Sequence, residues 1–207
     1  MTGGVVLAGW LLVSGPIVGM FPVGNPALVS EWSMPHDRFI ATVGAHRSAW
    51  AWLNAGFALA TIATTAGLVV FALSLPDGSA VAGVLSASIG YLVGGTLWCA
   101  VLAIRTRITP HLADQEAEAS ARPDALLLDA ATTGLFQGFV LITGVALAGL
   151  GVALLLTATG AVGVAVLILL CGIGAIGWLL GTGDVIPAAL YLPTLVLGVA
   201  LLAHWTP

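Results

Sequence analysis

The chain has 207 residues, of which 59% are hydrophobic and only 7% charged, with a net charge of −4 and a mean hydropathy of +1.11. Soluble domains carry about a quarter of their residues charged, so this composition excludes an ordinary soluble fold and points to an integral membrane protein. Its five basic residues are all arginines, too few and too scattered to hold a nucleic acid. Both cysteines, Cys99 and Cys171, sit in apolar runs without a CxxC partner, which argues against a disulfide framework or a thiol redox centre.

Residues 4–21 form an apolar run whose leader MTGG carries no basic residue, so it reads as a first membrane helix and not as a signal peptide. Pro22, Gly24, Asn25 and Pro26 stop it. The segment from Glu31 to Ser48 alternates Phe39, Ile40 and Val43 with His36, Asp37, Arg38, His46 and Arg47, the pattern of a short interfacial helix. Residues 49–75 make a second span, entered through Trp50 and Trp52, which suit a headgroup boundary. The turn Pro76-Asp77-Gly78-Ser79 reverses the chain into a third span, residues 80–104, an antiparallel neighbour of the second.

Residues 105–124 are the one long polar stretch and divide the chain in two. The fourth span, 125–157, is about 50 Å long as a helix against a hydrocarbon core of about 30 Å, so it must tilt or protrude. A turn over 157–160 leads to the fifth span, 161–180, and Gly181-Thr182-Gly183-Asp184 to the sixth, 185–204, with Asp184 as its N-cap. The expected fold is therefore all-α, a polytopic six-helix transmembrane bundle with one interfacial helix between the first two spans, in a single membrane domain covering residues 1–207. A β-barrel is excluded because the runs are apolar on every side.

With six spans, the segments after the first, third and fifth share one side, and they hold all five arginines: Arg38, Arg47, Arg105, Arg107 and Arg122. The positive-inside rule makes that side cytoplasmic, with loop 105–124 inside and both termini outside a cell membrane that the chain crosses repeatedly. Trp178 and Trp205 then fall near opposite interfaces.

On the fourth span Asp129, Thr133 and Gln137 recur at i, i+4 and i+8, the signature of an intramembrane polar path. If the hydrocarbon core is filled by the last twenty residues of that span, Asp129 instead lies roughly 13 Å outside it as a solvated helix-start acid, the preferred reading. Asp184, His46 and Arg47, with Arg105 and Arg107, belong to the same ends of the helices. They either converge with Asp129 on one vestibule or snorkel separately. Asn54, Thr61 and Thr65 stripe the second span and can bond to carbonyls one turn back without a ligand.

No histidine lies mid-span, so haem or metal ligation by His36, His46, His111 or His204 is not expected. HExxH, GxSxG and P-loop patterns are absent, and no catalytic residue, cofactor or metal is assigned. The pairs Gly15/Gly19, Gly90/Gly94, Gly134/Gly138 and Gly177/Gly181 permit close helix approach but are about as numerous as chance predicts.

Residues 45–68, AHRSAWAWLNAGFALATIATTAGL, resemble the linker and second helix of small uncharacterised six-helix membrane proteins from GC-rich bacteria, which implies topology and no activity. Two functions are expected: a non-enzymatic structural or accessory membrane subunit, or a small transporter or channel with a cytoplasm-facing polar cluster. An enzyme ranks third. The first expects a packed bundle without a cavity, and the second a water-accessible cleft between spans two, four and six with Asp129 inside. The lipid bilayer is the expected partner, and a homo-oligomer or a membrane-protein partner stays open.

Overall fold

A computed structural model describes residues 2–20, 36–76, 78–114, 123–156 and 162–203. Seven α-helices make up the described residues, with no strand among them: α1 (Thr2–Met20), α2 (His36–Ala45), α3 (Arg47–Ser74), α4 (Ser79–Ala113), α5 (Pro123–Leu156), α6 (Val162–Thr182) and α7 (Ala188–Ala203). Four are long and apolar enough to cross a membrane, namely α3, α4, α6 and the Leu126–Leu156 part of α5. The apolar stretches of α1 and α7, Gly3–Val18 and Ala189–Ala203, are shorter. At 1.5 Å per residue they reach only about 24 Å.

The six long helices close into a ring in which α1 packs on α3, α3 on α4, α4 on α5, α5 on α6, α6 on α7, and α7 back on α1. Consecutive long helices run antiparallel. Gly4 therefore lies beside Ser74 and Gly83 beside Ala153 at one end, while Arg47 meets Asp114 and Gly44 meets Ala113 at the other. Arg38, Arg47, Arg105 and Arg107 all belong to this second end, below called the arginine end.

Without a hydrophobic force between helices in lipid, close approach depends on small side chains. A Cβ at Gly172 would stand 2.5 Å from Ala148 N and 2.6 Å from Gly144 O, so the backbones of α5 and α6 touch there. Along α4, Gly83, Gly90 and Gly94 meet Ala153, Ala146 and Thr143 of α5. Of the four glycine pairs singled out in the sequence, Gly90/Gly94 is spent inside the chain, whereas Gly177 and Gly181 face open space.

The hydroxyl stripe on α3 behaves as its spacing predicts: Thr61 Oγ1 donates to Phe57 O at 2.9 Å and Thr65 Oγ1 to Thr61 O at 2.8 Å. Asn54 Nδ2 likewise donates to Trp50 O at 2.8 Å. Thr61 also shares a 2.7 Å hydrogen bond with Tyr191 Oη of α7, which ties together the two helices that flank α1.

Several sequence expectations need correction. Helix α4 does not stop at residue 104 but continues to Ala113 through Pro110. A proline inside a helix forfeits a backbone bond. Here tertiary packing compensates, because Leu112 and Ala113 rest against the buried cluster of Phe39, Ile40, Val43 and Trp50. The same cluster shows that α2 spends its apolar face on α3 and α4. Trp50 is 1% exposed and so is no headgroup residue, while Trp52 at 65% fits that role. Helix α7 starts at Ala188, not at residue 185, and Asp184 does not cap it: its Oδ1 accepts from the next residue's Val185 N at 2.7 Å. The turn between α3 and α4 is as expected, with Gly78 at φ +133°, where a side chain would be strained. The expectations for Pro22 to Glu31, Asp77, the 115–122 part of the polar stretch with Arg122, turn 157–160, His204 and Trp205 fall outside the described residues.

Candidate functional site

At the arginine end α4 and α5 part, and the connection from α6 to α7 fills only some of the gap. The remaining cleft has a volume of about 300 Å³ and is lined by Trp98, Val101 and Arg105 of α4, by Asp129, Thr132, Thr133 and Phe136 of α5, and by Gly183, Asp184 and Pro187. Its closed side is aromatic. Trp98 is buried, stacks on Phe139 at 5.2 Å between centroids, and meets Phe136 at 5.5 Å and Phe57 at 5.9 Å.

Asp129 and Asp184 are exposed, whereas Arg105 is part-buried and set deeper. Both carboxylates act electrostatically on its guanidinium. Arg105 is also held from behind by Trp50 of α3. The Trp50 Nε1–H donates to Arg105 O at 3.1 Å, and the guanidinium carbon lies 5.4 Å from the indole centroid. Trp50 is itself braced by an edge-to-face contact with Phe39 of α2. Helix α2, through Phe39 and Trp50, thus supports the charge inside the cleft.

The connection that carries Asp184 is shaped by its own hydrogen bonds. Gly183 adopts φ +78°, open to glycine. Thr182 Oγ1 donates to Trp178 O at 2.8 Å and to Asp184 O at 2.7 Å. Gln137 Nε2 of α5 donates to Gly183 O at 3.3 Å. The stripe Asp129, Thr133, Gln137 therefore faces this connection: the first two line the cleft and the third anchors its edge.

Of the residues singled out in the sequence, Asp129, Thr133 and Asp184 come together in the cleft, with Arg105, while Gln137 borders it. His46 and Arg47 do not join them. His46 Nδ1 lies 3.1 Å from Thr42 O, and Arg47 pairs with Asp114, its Nη1 donating to Oδ2 at 3.0 Å and its Nη2 to Oδ1. That bidentate contact holds the Asp114 carboxyl below the ordinary carboxylate range. Asp114 is thus a partner of Arg47 on the exposed rim of this end. Asp129 is as exposed as a helix-start acid should be, yet it stands on a cleft wall. The cleft also lies between different elements from those expected: α4, and not α3, is the neighbour of α5. Sequence reasoning missed Trp50, Trp98, Thr132, Phe136 and Pro187. The local signal was an arginine at the polar end of an apolar helix, one turn beyond Val101.

Comparison with protein-family models, with curated proteins and with solved structures finds no match for this chain.

Proposed function

We propose that the chain is a six-span protein of the cell membrane, with α1, α3, α4, α5, α6 and α7 as its spans, both termini outside and the arginine end in the cytoplasm. We further propose that it is a small transporter whose solute enters the cleft at that end. The observation that carries this reading is the meeting of three charged side chains, Arg105, Asp129 and Asp184, from three parts of the ring in one solvent-open cleft. Charged groups beside a lipid-soluble bundle are costly, and their convergence is the ordinary mark of a solute or ion path. The aromatic layer of Trp98, Phe136 and Phe139 closes the cleft toward the opposite end, as a gate between two access states would.

A transporter must also open from the other side. Ser88 of α4 is buried and about 13 Å from the outer end of its helix. A Ser88→Cys protein, with Cys99 and Cys171 replaced by Ala, should react slowly with a membrane-impermeant thiol reagent added outside sealed cells. A site that never reacts would favour the second reading, a non-enzymatic accessory subunit. That reading has its own support in α6, whose outward face of Leu170, Ile173, Gly174, Gly177 and Gly181 is apolar and open, as a partner helix would need.

A further inference from the structure

We propose that the cleft selects a small organic monocation, a protonated amine or quaternary ammonium with apolar substituents, over an anion, a zwitterion or a bare metal cation. This deepens the transporter reading and rests on its solvent-open cleft. Among the described residues of the lining two aspartates face one arginine, a formal charge of one negative in excess. The carboxylates are also the more exposed groups, so an incoming solute meets Asp129 and Asp184 before Arg105. An anion would have to pass both and then compete with them for a guanidinium they already face. A cation is drawn by the same two groups and restores neutrality.

The rest of the lining decides which kind of cation. A bare alkali or alkaline-earth ion takes six or more oxygen ligands. Here the side-chain oxygens are few, those of Asp129, Thr132, Thr133 and Asp184, and Asp184 Oδ1 already accepts from Val185 N, so a bare ion would have to keep much of its water. The apolar part of the lining is Val101, Pro187 and the rings of Phe136 and Trp98. Aromatic faces attract a poorly hydrated cation, and apolar walls reward its alkyl groups. A volume of about 300 Å³ lies at the small end of ligand pockets and suits a small organic ion.

Tetramethylammonium chloride is the probe. Titrated into the purified full-length protein in detergent and followed by calorimetry at constant ionic strength, it should bind saturably. Sodium chloride, sodium acetate and glycine should not. Asp129→Asn and Asp184→Asn should each weaken binding about tenfold, and Phe136→Leu several-fold. Thr133→Lys, which places a cation on the exposed wall, should abolish it without touching the packed core. Unaltered affinity in both asparagine variants, or tighter binding of acetate or glycine, would overturn the proposal. Absence of any tetramethylammonium binding while a cysteine at position 133 reacts freely with a soluble reagent would sink the cation and leave the cleft reading intact. An unreactive cysteine there would overturn both.

Discussion

The pair α4 and α5 is two structures in one. Toward the end where α4 begins, Gly83, Gly90 and Gly94 let the helices touch along Ala153, Ala146 and Thr143. Toward the arginine end the facing residues are Trp98, Arg105, Phe136 and Asp129, and the same two helices stand apart around a cleft. Nothing in backbone propensity separates the halves. Side-chain identity does: glycine against alanine lets the backbones meet and leaves an apolar groove of about 550 Å³ beside Gly83, Gly90, Leu141 and Val145, whereas Trp98, Arg105, Phe136 and Asp129 frame the polar cleft.

The sharpest break of this contrast is to put the same side chain into each half. Gly94→Leu must force α4 from Phe139 O and Thr143 N, both 3.3 Å from where its Cβ would lie, and should cost about 3 kcal/mol in unfolding measured in mixed micelles. Gly134→Leu meets open space. It should be neutral or stabilise by up to about 1 kcal/mol through helix propensity. Equal losses at the two positions would remove the distinction.

A smaller effect probes the support behind the cleft. Trp50→Phe keeps an aromatic ring against Phe39 but deletes the donor to Arg105 O. About 1 kcal/mol of stability should be lost, and tetramethylammonium affinity should fall because a less constrained Arg105 can move toward Asp129 and Asp184 and compete with the ligand for them. An unchanged affinity would detach α2 and α3 from the site.

The smallest effect lies outside the cleft. The pair Arg47 and Asp114 is exposed on both sides, and such pairs contribute little. Asp114→Asn should shift the melting temperature at pH 7 only marginally. Since Arg47 lowers the Asp114 pKa, its contribution is present above the ordinary carboxylate value of about 4 and lost as pH falls through the lower folded value, so any gap between wild type and variant should close in acid. A gap that widens in acid would mean that Asp114 has another role.

The helices and the antiparallel pairing of α3 with α4 were legible because apolar runs and turn residues report them directly, whereas the glycine-lined α4–α5 seam was not, since the glycine pairs are no more numerous than chance predicts. The hydroxyls of Thr61 and Thr65 were legible too, since their partners lie four residues away on the same helix. What the sequence hid is long-range. The Trp50 indole donates to a carbonyl 55 positions along the chain, and nothing local distinguishes that tryptophan from Trp52. The continuation of α4 past Pro110 depends on α2 packing against Leu112 and Ala113, which no window of sequence contains. Asp129, Thr133 and Asp184 were visible as candidates, but their meeting with Arg105 required knowing that α5 sits beside α4.

The most direct measurement places one cysteine in each half of α5, Thr133→Cys in the cleft and Thr143→Cys in the seam, with Cys99 and Cys171 replaced by alanine. Thr133 is exposed and Thr143 is fully buried against Gly94. Reaction with a soluble maleimide in detergent should be fast at position 133 and negligible at position 143. Equal rates, or a faster reaction at position 143, would contradict a bundle that seals Thr143 against Gly94 and leaves Thr133 open at its arginine end.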